Sequence, residues 1–430
     1  MKKLILFLPF MLFAENFTQI KNEITNSLKY QLAKKQVQLY EKRLKEAKAK
    51  NFGKLDAQYS YIHFFQRPLM KLTTTQPVAV ASDGVHLVYE TFNTSLPMSD
   101  KDHFLGEIKY SYPVFTGFAI TSLIKRSELE LIQKKLELKN VKRELILNSA
   151  ELYSNIYALK CNINALTFAK KALESAKEKA EALYNEGLIN KSSVDEINAK
   201  YYEVLADIKN LKSQKESLLN MLSYLLNKKI EKIDSIEVQK ITFRPDFLKR
   251  PDVRAIKETL QIAKENIKLA KSEYFPSIGA EIALKKEADN FSLSKNDYQN
   301  IDKSYFAVAM QYNLFDGGAK LAKVEMAKIA KSSAFIYYHD YLNKIKTQYN
   351  NDLNEYKALF YRLKAAKEEI KARESYYEYI RAKFEEGLAD STDLNDAIAK
   401  LAAAKAKRDA IKAKIFFLGI KLKYNGGENE

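Results

Sequence analysis

The strongest constraint on this chain is a repeated segment that ends two long stretches free of glycine and proline. YNEGLINKSSVDEINAK occupies 184–200, and FEEGLADSTDLNDAIAK occupies 384–400, 200 positions later. Residues 119–186 and 319–386 contain neither Gly nor Pro, which predicts one very long helix in each half. At 1.5 Å per residue each helix measures on the order of 100 Å, far more than a globular core requires.

Both stretches carry apolar residues at steps of three, four or seven, which predicts a coiled-coil-like seam. In the first stretch these are Leu138, Val141, Leu145, Leu152, Ile156, Leu159, Ile163, Leu166 and Leu173. In the second they are Tyr338, Tyr341, Ile345, Tyr349, Leu353, Tyr356, Phe360 and Leu363.

Each Gly-Leu pair predicts the tip of a helical hairpin. Gly187 and Gly387 supply the permissive backbone that a helix C-terminus prefers. A second helix then returns, with Ser192 or Ser193 as the expected N-cap in the first repeat and Ser391 or Thr392 in the second. The returning helices are predicted at about 192–226 and 391–418.

Four segments alternate with period two instead, at about 53–66, 104–115, 277–286 and 304–315. In the first, Leu55, Tyr59 and Tyr61 alternate with Asp56 and Gln58. Strands with one apolar, aromatic face and one polar face are typical of transmembrane β-barrels. Four strands cannot close a barrel, and open edges are forbidden in lipid, so three copies with twelve strands would be needed. A soluble four-stranded sheet packed on helices stays open as the alternative.

The predicted fold is therefore mainly α with a small β part, built from two repeats of strand, strand, long helix, turn and helix. The first repeat spans 15–243 and holds a helix, the first two strands separated by a polar loop, a hairpin at about 118–227 and a linker. The second spans 244–430 and holds a helix at about 251–273, the last two strands, a hairpin at about 318–418 and a short tail.

The N-terminus predicts export. Lys2 and Lys3 precede an apolar run from Leu4 to Ala14, which is too short to cross a bilayer and has the layout of a signal peptide at 1–14.

Composition argues against other classes of function. The net charge of +17 would suit nucleic acid, but Lys and Arg alternate with Glu and Asp along helical stretches, as on solvated faces, and the signal argues against it. Cys161 cannot form a disulfide framework or a zinc cluster alone. The four His are not grouped at ligand spacing, and catalytic motifs are missing. We therefore expect neither an enzyme, a cofactor nor a metal site.

Four motifs carry a resemblance to a known family. They are RPDVRA at 250–255, YFPSI at 274–278, YNLFDGG at 312–318, and the paired EGL turns at 186–188 and 386–388. With these, the chain resembles the TolC-type outer-membrane efflux channel family over essentially its whole mature length. The resemblance implies a homotrimer whose twelve-stranded β-barrel in the outer membrane continues as a twelve-helix α-barrel in the periplasm.

The resemblance also implies partners and site residues. The expected partners are outer-membrane lipid, a periplasmic adaptor protein and an inner-membrane pump of RND or ABC type, but no nucleic acid. Gly187, Leu188, Gly387 and Leu388 become candidates for contact with the adaptor at the hairpin tips.

Asp393 and Asp396 match the carboxylates that line the periplasmic aperture in the family. They lie three residues apart on one helix face, so that a trimer would gather six carboxylates in a cation-attracting gate. Acidic residues in a first helical turn also simply suit the helix dipole. Two departures from the family pattern bear on how the closed state is held: Ser193 stands where the first repeat of the family often has an acid, and Ala389 stands where a gate-bracing Arg can occur.

The function predicted from the sequence is that of an exit duct in a tripartite efflux or export system. A channel of the same architecture for type I protein secretion and a soluble periplasmic coiled-coil scaffold are the alternatives.

Overall fold

The computed structural model describes residues 15–238, 240–242 and 244–428. The predicted signal peptide at 1–14 lies outside these residues. The predicted fold class is confirmed, since the chain is mainly helical with a smaller β part. It divides into two compact units. The helical unit comprises the described residues up to Tyr40, Glu130–Leu260 and those from Ser333 onward, and the strand unit comprises Glu41–Leu129 and Gln261–Ser332.

The helices reproduce the two long stretches of the sequence. Their bounds are α1 Phe17–Glu23, α2 Leu28–Ala49, α3 Ala119–Asn185, α4 Lys191–Leu226, α5 Pro251–Lys271, α6 Ala319–Glu385 and α7 Ser391–Asn425. Both α3 and α6 contain 67 residues, or about 100 Å of helix. Within the described residues, none of the helices combines the length and apolar character that a bilayer-crossing helix needs.

The apolar seams of these helices form the core of the helical unit. One cluster joins α3 and α4 to α6 and α7 near the hairpin tips, with Leu173, Ile197 and Ile398 almost fully buried. A second is built around Tyr153 and Leu222 and includes the linker that follows α4. Burial of such side chains contributes roughly 1.5–3 kcal/mol each, so packing rather than propensity holds these helices in place.

The RPDVRA motif lies at a buried ionic cluster of the helical unit. Asp252 accepts hydrogen bonds from Arg250 at 2.6 and 3.1 Å, from Arg143 of α3 at 3.1 Å and from Tyr341 of α6 at 2.8 Å. Arg143 also donates to the side chain of Asn425 in α7 at 2.7 Å. One carboxylate therefore links the start of α5 to α3 and α6, and Arg143 extends the link to α7.

Burial and charge act in opposite directions on this carboxyl group. Burial by itself would raise the pKa of Asp252, but the bonds from Arg250 and the charge of Arg143 lower it to about 2. Burial, together with the negative charge of Asp252, raises the pKa of Tyr341 to about 12, so that its hydroxyl stays a donor.

The strand unit contains, in the described part of the chain, a four-stranded antiparallel sheet and a separate hairpin. The strands are β1 Lys54–His63, β2 Leu69–Val80, β3 Leu87–Pro97, β4 Asp102–Thr116, β5 Ser277–Ala288 and β6 Tyr305–Gln311. The order in the larger sheet is β1-β4-β5-β6, which leaves β1 and β6 as its edges.

Several features differ from the sequence prediction, and among them β1 ends at His63 rather than near 66 and β6 ends at Gln311 rather than near 315. The segment between the first two predicted strands, expected as a polar loop, forms the hairpin β2–β3, in which Thr73 bonds Asn93 and Thr75 bonds Thr91 across the strands. Helix α7 continues past the predicted end near 418 to Asn425, because Leu422 is fully buried.

Candidate functional site: the hairpin tips and the apolar face of the sheet

The two hairpin tips have the same backbone geometry. The N–H of Leu188 donates to the carbonyl of Leu183 at 2.9 Å, and the N–H of Gly187 donates to that of Tyr184 at 2.9 Å. In the second tip, Leu388 and Gly387 donate to the carbonyls five and three residues earlier at 2.8 and 3.0 Å. This pair of bonds defines the Schellman helix end, which requires a left-handed residue. Glycine meets that need, with φ of +74° at 187 and +75° at 387.

Each tip presents an apolar side chain to its surroundings. Leu188 is 66% exposed and Leu388 is 69% exposed. A Cβ added at Gly187 or Gly387 would have open space around it, so these glycines serve the backbone conformation rather than close packing. Each tip therefore exposes one leucine on a turn whose backbone is held by two hydrogen bonds.

The returning helices are capped one to three residues earlier than the sequence predicts. The N-cap of α4 is Asn190, whose side chain accepts from the N–H of Ser193 at 3.0 Å. The N-cap of α7 is Asp390, which accepts from the N–H of Asp393 at 2.9 Å. The predicted caps Ser192 or Ser193 and Ser391 or Thr392 are therefore wrong, because an Asx side chain just before them already holds the helix start.

Direct hydrogen bonds join the N-terminal turns of α4 and α7. The carboxylate of Glu196 accepts from the hydroxyl of Ser391 at 2.8 Å and from that of Thr392 at 3.1 Å. Beneath them, Ile197 and Leu394 belong to the same apolar cluster. The two tips of one chain therefore form a single surface.

Asp393 and Asp396 both lie on α7 beside this surface. Asp393 is exposed, and Asp396 is half-buried with its carboxylate 2.5 Å from the ammonium of Lys400. Of the two departures from the family pattern, Ser193 donates its hydroxyl to Asn190 at 3.1 Å and Ala389 packs against the apolar cluster. Within one chain, Asp396, Ser193 and Ala389 therefore each have a local contact, whereas Asp393 is exposed.

Asn395, which lies between the two aspartates, was not singled out from the sequence. Its side chain is 7% exposed and its Oδ1 atom has no hydrogen-bond partner among the described residues. It lines a pocket of about 400 Å³ between α3, α4 and α7. In the sequence, the signal for this residue is a polar side chain on the otherwise apolar helix face that carries Leu394 and Ile398.

The four-stranded sheet separates apolar and polar side chains onto opposite faces. One row of directly opposed residues crosses all four strands and consists of Leu55, Tyr110, Ile282 and Phe306. The exposed fraction of these residues ranges from 38% to 70%. The next row across three strands is Ala57, Ile108 and Leu284. The opposite face carries Lys54, Asp56, Gln58, Glu107, Lys109, Ser111, Glu281, Lys285 and Glu287.

Aromatic side chains concentrate toward both ends of the apolar face. At one end the rings of Tyr61 and Phe104 stack at 4.8 Å. At the other, Phe118 makes edge contacts with Phe115 at 5.3 Å and with Phe275 at 5.7 Å. An apolar band between two aromatic zones is the pattern of a membrane-facing β-sheet. With 10 residues in β1 and 12 in β5, these strands are long enough to cross a bilayer.

Two histidines of the strand unit, His63 and His86, each form a pair with a single carboxylate. The ring Nδ1 of His63 lies 2.8 Å from Asp102, and His86 contacts Asp83. In the described ranges, His, Cys, Asp and Glu do not assemble into a group of three or more that could hold a metal ion.

Part of the sequence matches a known protein family, and the fold is similar to that of solved structures. Residues 248–414 match the family described as outer membrane efflux protein. The CmeC outer membrane channel of Campylobacter jejuni is similar over 96% of this chain and 86% of its own, with 16% identity and a TM-score of 0.79. None of the curated proteins matches this chain.

Two further solved structures show the same likeness. The outer membrane protein VceC of Vibrio cholerae has 16% identity and a TM-score of 0.74 over 96% of each chain. The MtrE outer membrane channel of Neisseria gonorrhoeae, in its open state, has 17% identity and a TM-score of 0.74 over 96% of this chain and 89% of its own.

Proposed function

We propose that this chain, whose residues 248–414 match the outer membrane efflux protein family, forms the outer-membrane exit channel of a tripartite efflux system. Its strands would lie in the outer membrane and its helices in the periplasm. The proteins whose fold it shares include outer membrane channels, which supports this location.

The observation that carries the proposal is the exposed apolar face of a sheet with two open edges. Leu55, Ile282 and Phe306 would be costly in water at such exposure, whereas lipid would accept them. Lipid, however, does not tolerate the unpaired backbone groups of β1 and β6. Pairing β6 of one copy with β1 of the next removes both edges, and three copies give a closed barrel of twelve strands.

In this assembly the polar face would line the pore. Lys54, Glu107, Lys109 and Glu281 are exposed or half-buried on that face, where water can solvate them. The barrel would therefore be a wet, mixed-charge duct suited to passing hydrophilic and amphipathic substrates.

The tips supply the surface for a periplasmic adaptor. Gly187 and Gly387 fix two identical turns, and Leu188 and Leu388 are the exposed apolar side chains on them. Apolar anchors on rigid turns lose little conformational entropy on binding, which favours a protein partner. An adaptor bound there would couple the duct to an inner-membrane pump.

Asp393 and Asp396 are proposed to line the aperture. Threefold repetition would place six carboxylates around one axis, which favours cations and disfavours anions. The bond between Asp396 and Lys400 at 2.5 Å offsets part of this charge while the lysine stays in place.

Planar-bilayer recording tests the proposal directly. Detergent-purified protein should insert and give cation-preferring steps, and the preference should fall in Asp393→Ala/Asp396→Ala. The matched control Glu203→Ala/Asp207→Ala on α4 also removes two carboxylates and should keep the wild-type preference. Protein that stays monomeric and gives no conductance would refute the channel, whereas unchanged selectivity in the first variant would remove these aspartates from the aperture.

A further inference from the structure

A pocket of about 400 Å³ lies in the strand unit where strands and helices join. It is lined by the N-terminal turns of α3 after β4 and by the C-terminal turns of α5 before β5. Its charged and aromatic lining residues are Lys125, Glu265, Lys268, Lys271, Phe118 and Phe275.

The junction between β4 and α3 and the junction between α5 and β5 are in close backbone contact. Gly117 has φ of +60°, and a Cβ there would lie 2.4 Å from the carbonyl oxygen of Ser272. Because β4 and β5 are the inner strands of the sheet, the junctions lie away from the edges β1 and β6. Pairing of those edges in an assembly therefore leaves the pocket within a single chain.

The rim of the pocket continues the apolar face of the sheet. Phe115 pairs with Ile278 across β4 and β5 and so belongs to that face. Phe118 contacts Phe115 at 5.3 Å and Phe275 at 5.7 Å, and both pocket phenylalanines are about half exposed. An unbroken apolar path thus runs from the face of the sheet to the pocket.

The polar part of the lining carries a net positive charge. Lys268 donates to Glu265 at 2.8 Å, and this carboxylate is the acidic group in the lining. Lys268 and Lys271 in the last turn of α5 suit that helix end, but Lys125 reaches the pocket from α3. Lys125 is paired with Glu128 at 3.2 Å and Lys268 with Glu265, but the two lysine side chains are 56% and 64% exposed, so their ammonium groups stay accessible to a ligand.

We propose that this pocket binds the headgroup of an anionic phospholipid from the membrane leaflet next to the helices. The lysines would donate to the phosphate oxygens while the acyl chains lie along Phe118, Phe275 and the apolar face. A zwitterionic headgroup brings an additional cation close to three lysines and is therefore disfavoured. The inference rests on the proposed function, since it requires the sheet to lie in a bilayer.

Native mass spectrometry of the detergent-purified full chain tests the site. Phosphatidylglycerol should add up to one molecule per chain, and phosphatidylethanolamine should add fewer. Lys125→Gln/Lys268→Gln/Lys271→Gln should weaken phosphatidylglycerol binding by about tenfold or more, because each lysine near a lipid surface contributes to attraction. Lys42→Gln/Lys45→Gln/Lys50→Gln, with the same change of charge in the same unit, should bind like the wild type.

Several results would overturn the proposal: equal binding by both triple variants, equal binding of the two lipids, or displacement of lipid by millimolar inorganic phosphate, which would indicate a free-phosphate site. Circular dichroism of each variant verifies folding, and Lys271→Gln alone serves if the triple variant does not fold. The oligomeric mass in the same spectra tests the trimer separately, so failure of the lipid site and failure of the channel are distinguishable.

Discussion

Replacing Asp252 by asparagine should destabilise the protein measurably, although the two side chains are almost the same size. The carboxylate is 6% exposed and lies between the buried guanidinium groups of Arg143 and Arg250. An amide removes the negative charge and turns one acceptor atom into a donor that faces other donors. Two buried cations are then left without their shared counter-ion.

The structure gives the size of the effect in two ways. The shift of the Asp252 pKa from 3.8 to about 2 corresponds to about 2 kcal/mol of stability at neutral pH. Breaking a buried ion pair by removing one partner costs roughly 3–5 kcal/mol. For a chain of 430 residues, which unfolds with an entropy of about 0.9 kcal/mol/K, these values predict a fall in Tm of about 2–6 °C.

The pH dependence has a definite sign. Because the folded pKa lies below the unfolded value, the stabilisation is complete above about pH 5 and is lost as pH falls through 3.8 toward 2. The difference in Tm between wild type and Asp252→Asn should thus be constant from pH 5 to 8 and should narrow below about pH 4.

Thermal unfolding in detergent, followed by circular dichroism at 222 nm, measures this difference. Asp207→Asn, an exposed residue of α4, is the matched control and should unfold with the wild type. Adding Arg143→Met to Asp252→Asn should cost less than the sum of the single changes, because it removes one of the stranded cations. A Tm of Asp252→Asn within one degree of wild type, or strict additivity in the double variant, would refute the assigned role of this cluster.

Three further predictions concern the tips. Gly387→Ala should lower stability by about 1–2 kcal/mol, because φ of +75° is strained for alanine; an unchanged unfolding midpoint in urea would contradict this. Leu388→Ser should abolish pump-dependent substrate efflux in cells while bilayer conductance stays at the wild-type level; full efflux would exclude this leucine from the adaptor contact. Glu196→Gln should weaken the bonds from Ser391 and Thr392 and raise the resting conductance of the channel, whereas equal conductance would show that this link does not restrain the tips.

The long helices and their turns could be predicted because their signal is local. Freedom from glycine and proline over 119–186, followed by Gly187, determines where a helix continues and where it stops. The hairpin β2–β3 was missed since its strands are exposed on both faces, and Thr73, Thr75 and Pro77 obscure the alternation. A strand without one buried face shows little alternation of apolar and polar residues in its sequence.

The buried cluster around Asp252 could not be predicted in the same way. The sequence contains the RPDVRA motif, in which Asp252 is suited to the first turn of a helix. It cannot show that Arg143, 109 positions earlier, and Tyr341, 89 positions later, meet the same carboxylate. Such partners are set by the packing of four separate helices, and only the folded chain brings them together.

The two repeats share one tip geometry but differ in charge, and this difference bears on how the aperture would work. The second repeat has acids at the cap and at positions three and six residues later, Asp390, Asp393 and Asp396, whereas the first has Asn190 and Ser193 before its acid. Residues at this spacing share one helix face.

The single acid of the first repeat at these positions, Glu196, is occupied by the hydroxyls of Ser391 and Thr392. At these three matched positions the second repeat therefore carries three carboxylates and the first carries one. In a threefold assembly the α7 helices would carry the cation-attracting charge and the α4 helices would brace them. If the chain works as proposed, separation of α4 from α7 at Glu196 would release the braced helices and would link an adaptor at Leu188 and Leu388 to the charge at the aperture.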